Sequence, residues 1–299
     1  MFEQLGLIGC GLMGGSFARA LKRAGLVRRV VGYSKSPSTT ARARQLGVID
    51  IEASSALQAV SGADLVMLAV PVAATESTLK AIRHLINPGM LIIDVGSTKR
   101  DVVDAVRRTL KHHAEVFVPC HPIAGREVAG VENADPRLYA DHPVIITPIE
   151  RTDKAKIRQA AQMWLALGCS DVRLMTPQEH DAAFAAVSHL PHLLAFALMN
   201  SLAAQPDGDK YLGLAGPGFR DFSRIAASDP KMWRDVLIAN RHEISVQMQH
   251  LQRALAMLDK FVAESRAEEL ERLINQASHA RANWRLRRGD SGHAKLQKS

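Results

Sequence analysis

Three features of the 299-residue sequence predict an α/β protein with a Rossmann-type, doubly wound and mostly parallel sheet at its N-terminus and an all-α domain after it. The first half alternates short, continuous apolar runs with longer amphipathic stretches, the pattern of parallel strands covered by helices on both faces. A G-x-G-x-x-G turn follows the first apolar run directly. Beyond about Thr176 the alternation gives way to long helical periodicity.

Strands are expected at residues 5–8, 30–32, 65–70, 91–94, 115–118 and 144–147, and helices at 12–24, 39–46, 75–85, 100–110 and 153–167. Strand-like Val172-Arg173-Leu174 then meets Thr176-Pro177-Gln178-Glu179. Thr as N-cap, Pro at the first helical position and Glu three residues after Thr make a helix start. This divides the chain into a dinucleotide-binding domain, 1–175, and a helical domain, 176–282. The helices expected in the second domain are 177–203, interrupted by Ser188-His189-Leu190-Pro191-His192, then 219–227, 230–240 and 241–281. Residues 283–299 are expected to form a basic, disordered tail.

Composition narrows the function. Apolar residues at 47% and charged residues at 23% suit a folded core. The 38 Lys and Arg exceed the 30 Asp and Glu by +8, which favours a small di-anionic ligand as readily as nucleic acid. Aromatics at 5% leave little for a single-strand stacking platform, so no nucleic-acid partner is expected. Cys10, Cys120 and Cys169 are odd in number and widely spaced, which argues against a disulfide framework or zinc site and for a cytoplasmic setting. No charged leader and no apolar run of the ~18–20 residues that span a bilayer is evident, so no membrane partner is expected.

The turn Gly9-Cys10-Gly11-Leu12-Met13-Gly14 sits between a strand and a helix, the context that makes this pattern a dinucleotide site. Gly9 permits the tight turn, Gly11 leaves room for a pyrophosphate, and Gly14 lets the helix pack close. An NAD-preferring site places a carboxylate at the end of the second strand. Here that end reads Ser34-Lys35-Ser36, with Arg42 and Arg44 beyond it. A hydroxyl and an ammonium suit a 2′-phosphate, so NADP is the preferred cofactor, with NAD possible. Val70-Pro71 ends the third main strand, where nicotinamide-side loops lie in such folds.

Further motifs carry chemistry: Asp94-Val95-Gly96-Ser97-Thr98-Lys99, His121-Pro122-Ile123-Ala124-Gly125-Arg126-Glu127, the SHLPH segment, and Gly218-Phe219-Arg220-Asp221-Phe222-Ser223-Arg224 with Trp233 beyond it. In this order, with GxGxxGG and AVP before them, they resemble the TyrA family of prephenate and arogenate (cyclohexadienyl) dehydrogenases over roughly residues 4 to 280. The resemblance implies an oxidative decarboxylation in tyrosine biosynthesis. A hydride passes from the cyclohexadienyl ring to the nicotinamide, the ring hydroxyl becomes a carbonyl, and loss of CO2 aromatises the ring. It further implies His121 as the base or hydrogen-bond acceptor, Ser97 beside it, and Arg224 gripping a substrate carboxylate. His192 and His189 are implied as polar pocket residues, and Glu127, Asp221 and Trp233 as residues of the pocket entrance and domain interface. No metal is implied. The helical domain is implied to serve substrate binding and homodimerisation, and the apolar stripe of Leu251, Leu255, Leu258, Phe261 and Val262 fits a second copy. Neither a fused mutase nor an appended ACT regulatory domain is expected.

Two other readings stand beside it. One is another oxidoreductase of the same layout, of the β-hydroxyacid dehydrogenase or imine reductase type. The other is a nucleotide-sensing binding protein without catalysis. A Cys120–His121 dyad is disfavoured, because neighbouring strand residues point to opposite faces.

Overall fold

The computed structural model describes residues 1–284, so the basic tail expected at 283–299 lies almost wholly outside the described residues. The first domain runs β1 (Phe2–Ile8), α1 (Leu12–Arg23), β2 (Val27–Tyr33), α2 (Pro37–Gln45), β3 (Ile51–Glu52), α3 (Ala56–Val60), β4 (Leu65–Leu68), α4 (Thr75–Ile82), β5 (Leu91–Asp94), α5 (Arg100–Leu110) and β6 (Phe117–Val118). All six strands are parallel, in the order β3-β2-β1-β4-β5-β6. Ile8 pairs with both Tyr33 and Leu68, so the strands end level and their outgoing turns share one edge of the sheet. That edge of an open parallel sheet is where ligands bind.

The strands are apolar along their length because both faces are covered. Leu5, Leu7 and Phe17 are fully buried on one side, each contributing about 1.5–3 kcal/mol. Val66, Ile92, Val102 and Val106 fill the other side. Phe17, Tyr139 and Trp164 pack ring against ring, and the Tyr139 hydroxyl donates to Met13 O at 2.7 Å, pinning the glycine turn from behind.

Expected and observed bounds differ where local chemistry decides. The third main strand stops at Leu68 rather than at residue 70, since Ala69 turns to pack on Gly9. Glu115 and Val116 belong to a 3-10 turn, Lys111–Val116, which shortens the expected strand to Phe117–Val118. The helix expected from Thr39 starts at Pro37, where proline suits the first turn. The strands expected at 144–147 and 172–174 do not extend the first sheet: with the unexpected β7 (Cys120–Pro122) they form a second one, as β8 (Pro143–Ile146) and, after α6 (Lys154–Ala166), β9 (Asp171–Leu174). β7 runs antiparallel to β8, with His121 opposite Ile145.

The helical part comprises α7 (Pro177–Phe184), α8 (Leu190–Ala203), α9 (Gly208–Gly213), α10 (Pro217–Ser223), α11 (Pro230–Ala239), α12 (Arg241–Ala263) and α13 (Ala267–Asn283). Thr176 and Glu179 form the expected capping box at the start of α7. The SHLPH segment does not interrupt the helix. Residues Ala185–His189 form a π turn joining α7 to α8, with Leu190 N–H reaching Ala185 O. Pro191 has no N–H to give, and the widened turn passes it without a break. The single helix expected at 241–281 is split at Ser265, whose φ is 55°, into α12 and α13.

One expectation needs correction. Pro177–Ala203 is long and apolar enough, by length and composition, to cross a membrane, with a mean hydropathy of 1.6. Its buried His180, Asp181 and His189 face the first domain, which makes it an interface helix of this fold. Its outer face is bare in a single chain, with Val187 exposed, as are Leu255, Met257 and Val262 on α12.

Candidate active site

The glycine turn has the shape of an anion cradle. Gly9 has φ +100°, and a Cβ there would lie 2.1 Å from Ala69 O. A Cβ on Gly14 would lie 2.0 Å from Gly9 O, whereas one on Gly11 would meet nothing within 4 Å. The helix that follows starts with no side-chain cap and no acidic residue in its first turn. Its leading N–H groups and positive dipole end, beside the open space at Gly11, fit a pyrophosphate. Leu12 and Met13 supply these amides. At the end of β2 the Ser34 hydroxyl accepts Cys10 N–H at 2.8 Å, and Lys35 is exposed next to it. Arg42 on α2 is 3.4 Å from Glu132, which belongs to the loop crossing α1. Val70 is half-buried and Pro71 exposed at the same edge, in the turn after β4.

On that edge β5 ends in Asp94, and β7 carries His121 alongside. His121 Nδ1 lies 2.8 Å from His180 Nε2, and His180 Nδ1 lies 2.7 Å from Asp181 Oδ1. Phe184 packs against both rings. The Asp181 carboxylate also accepts Lys99 N–H at 2.8 Å and Arg100 N–H at 3.0 Å, closing the bare N-terminus of α5. Burial works against the Asp181 charge, yet these bonds, led by that from His180, hold its pKa below the ordinary carboxylate value.

The proton positions follow from this order of partners. An ionised Asp181 only accepts, so His180 carries its proton on Nδ1 and accepts at Nε2. His121 then donates from Nδ1, which leaves its Nε2 lone pair free on the other side of the ring. Burial first, then the neighbouring His180, Lys99 and His189, push the His121 pKa well below the ordinary imidazole value. The ring is neutral at physiological pH, with a free acceptor nitrogen.

His189 and His192 continue the site. Asn240 donates from Nδ2 to Asp181 O at 2.7 Å and to His189 Nδ1 at 3.0 Å, which puts the His189 proton on Nε2. That Nε2 is buried without a partner, with the backbone of Ser97 as its polar neighbour, and Trp233 Nε1 is likewise unpartnered. Both are donors, as an oxygen-rich ligand would require. His192 gives its Nδ1 proton to Ser188 O at 2.9 Å and stacks on Trp233 at 3.6 Å between ring centroids. Glu127 and Arg224 lie beside His192, hydrogen-bonded to each other.

The structure therefore brings together His121, His189, His192, Trp233, Glu127 and Arg224, with half-buried Ser97 at the edge of the sheet. Asp221 stands apart: it is exposed and beside Arg220 at 3.8 Å, since α10 turns it outward. Sequence reading missed His180, Asp181, Asn240 and the side chain of Lys99. The usable signal was His180-Asp181 just inside a capped helix start, four residues before Phe184. Cys120 is no nucleophile: burial pushes its thiol up to about 12, and its sulfur accepts from Trp164 Nε1 at 3.4 Å.

Neutral burial of these imidazoles makes stability pH-dependent. Burial lowers the His180 pKa, and lowers that of His189 to about 4. Between about 6.5, the ordinary imidazole value, and the lowered native values, the unfolded chain binds more protons than the folded one. Stability therefore rises with pH across that window and is lost on acidification. Thermal unfolding should show Tm falling by about 5 °C or more between about pH 7 and pH 4.5. Asn240→Ala removes the donor that holds His189 Nδ1, so it should let His189 titrate nearer the ordinary value and flatten that profile.

Comparison with known proteins agrees over both halves. The family model "Prephenate dehydrogenase, nucleotide-binding domain" matches residues 17–172, and "Prephenate dehydrogenase, dimerization domain" matches residues 176–276. The chain is 35% identical to the prephenate dehydrogenase of Bacillus subtilis, over 96% of this chain and 77% of that protein. It is 32% identical to the cyclohexadienyl dehydrogenase of Zymomonas mobilis, over 94% and 96%. Among solved structures, Aquifex aeolicus prephenate dehydrogenase in complex with hydroxyphenyl propionate and NAD+ superposes with a TM-score of 0.87 at 35% identity, covering 94% of this chain and 98% of that one. These matches do not favour the β-hydroxyacid dehydrogenase or imine reductase reading. The glycine cradle and the histidine cleft are thus parts of a nicotinamide-dependent dehydrogenase, and the chain belongs to the prephenate dehydrogenase family.

Proposed function

We propose that the chain oxidatively decarboxylates prephenate, arogenate or both, with His121 as the base that takes the ring hydroxyl's proton. The observation that carries this is the ordered Asp181–His180–His121 relay, which leaves a neutral imidazole with one free nitrogen. A nicotinamide cofactor held at the turn Gly9–Gly14 would supply the acceptor for the ring hydride. His121 Nε2 removes the hydroxyl proton as the carbonyl forms, a general-base task suited to neutral imidazole. The ring carboxylate then leaves as CO2, its bonding electrons aromatise the ring and pass to the carbonyl oxygen, and that oxygen takes the proton back from His121 as the phenol forms. Arg224 holds a substrate carboxylate in a planar fork and so fixes the ring's orientation. Since Glu127 occupies Arg224 in this structure, the substrate carboxylate takes the place of Glu127. His189 Nε2–H and Trp233 Nε1–H supply donors to substrate oxygens, Ser97 a hydroxyl near the reacting group, and His192 a wall of the same pocket.

The phosphate-binding groups are the amides of the turn from Gly9 to Gly14, with Val70 and Pro71 lining the nicotinamide side. NADP is the preferred form: no carboxylate ends β2, and Ser34, Lys35 and Arg42 offer hydrogen bonds and charge to a 2′-phosphate. Steady-state kinetics with both substrates against both cofactors tests the activity. Ser34→Asp should move the NADP-to-NAD ratio of kcat/KM about tenfold or more toward NAD, by repulsion of the 2′-phosphate. An unchanged ratio would sink the NADP assignment. The bare faces of α8 and α12 pair with a second copy, giving a homodimer in the cytoplasm.

A further inference from the structure

Lys99 is wholly buried, and every polar contact of its side chain is spent beside the base. Its Nζ lies 2.5 Å from Asp94 Oδ2 and donates to Cys120 O at 2.7 Å. Asp94 uses its other oxygen, Oδ1, to accept Cys120 N–H at 3.0 Å. The ion pair thus holds both backbone groups of the residue just before His121. Strand β7 needs such a grip, since it pairs with β8 and takes no part in the six-stranded sheet that carries Asp94.

Lys99 also reaches the other half of the relay. Its backbone N–H donates to Asp181 Oδ1, the oxygen that holds His180 Nδ1. One residue therefore anchors β7 through its side chain and the His180–Asp181 pair through its main chain. A well-packed apolar pair would fill this space with equal or greater stability. It could not hold both polar groups of one residue.

We propose that Lys99 and Asp94 are positioning residues for the reaction, a buried clamp that sets where the His121 imidazole sits between the cofactor edge and His180. This rests on the reading of His121 as the base. The clamp also acts electrostatically. The charged and titratable groups facing His121 are Lys99 and Asp94 from the β5–α5 connection, His180 and Asp181 from α7, and His189 from the π turn. The ammonium, bonded to the carbonyl that leads into His121, opposes protonation of the ring. The Asp94 carboxylate offsets it.

The test uses Lys99→Met, Asp94→Asn and the neutral double variant in the full chain. It combines NMR titration of the His121 imidazole, assigned with His121→Asn, with kcat/KM against pH and with cofactor affinity. Lys99→Met should raise the pH at which His121 titrates and Asp94→Asn should lower it, each by about one unit, since one charge of the pair is left alone. The double variant should titrate near the wild type yet lose about 10²-fold in kcat, the cost of a base misplaced by ~1 Å, with cofactor affinity within about threefold. The opposed shifts show that the pair's charges reach the ring, and a loss of kcat with cofactor affinity kept is what a merely structural ion pair does not produce. Unmoved titration in both single variants, or wild-type kcat in the double variant, overturns the proposal. Where a single variant fails to fold, the double variant's kcat decides alone. The imidazole titration is read without turnover, so an active His121→Asn protein would defeat the base assignment separately.

Discussion

His121→Asn is expected to lower kcat/KM about 10³-fold, the worth of a well-placed general base, while the protein stays folded and binds cofactor as before. Asparagine keeps a polar group that can meet His180, so the relay's packing survives and only the proton acceptor is lost. The same ring governs the pH profile. Since its pKa lies below the ordinary imidazole value, kcat/KM should stay level through neutrality and fall only as pH drops through that lowered value. A limb centred at or above about pH 7, or an active Asn variant, would show that another group takes the proton.

Arg224→Ala should act on the other side of the reaction. Two charge-assisted hydrogen bonds to a carboxylate are worth about 3 kcal/mol together, so KM for the cyclohexadienyl substrate should rise about 100-fold. The cofactor's KM should hardly change. Arg224→Lys should recover only part of the loss, since a point charge cannot reproduce the planar fork. Equal KM values for Ala and wild type would place the carboxylate elsewhere. The double variant with Glu127→Ala distinguishes substrate contact from the existing ion pair: with the substrate bound to Arg224, removing Glu127 does not rescue the Ala variant.

Much of this was legible from local pattern. The strand–turn–helix around Gly9 to Gly14 is a short-range signal, and five strands of the six-stranded sheet follow from near-continuous apolar runs that only a two-sided cover explains, whereas β3, two exposed residues, left no such run. The resemblance pointed to His121 and Arg224 through compact motifs, and the structure places both in one cleft. Their partners were not legible. His180 lies 59 residues from His121, and Asp181 lies 82 from Lys99, contacts that exist only after the helical part docks on the sheet. The separateness of the second sheet escaped for a related reason: two of its strands were expected, but the third, β7, is three residues long and contains a proline, too brief for any periodicity. Asp221 shows the converse. Three positions from Arg224 in sequence, it is turned outward, because α10 gives way to a 3-10 turn at Arg224 and the two side chains part.

The π turn at Ala185–His189 has a consequence for how this pocket tolerates change. A wide turn holds one residue more than regular spiral geometry requires, so excising a single amino acid there would restore ordinary winding. Helix α8 would then keep nearly its present phase, because five residues of wide winding turn through about the same angle as four of regular winding. His192 would stay on the face of Trp233, with Phe196 beside it. The same excision inside the regular winding of α8 ahead of His192 would instead swing that ring about 100° off Trp233, so this stretch can spare a link only within its wide turn.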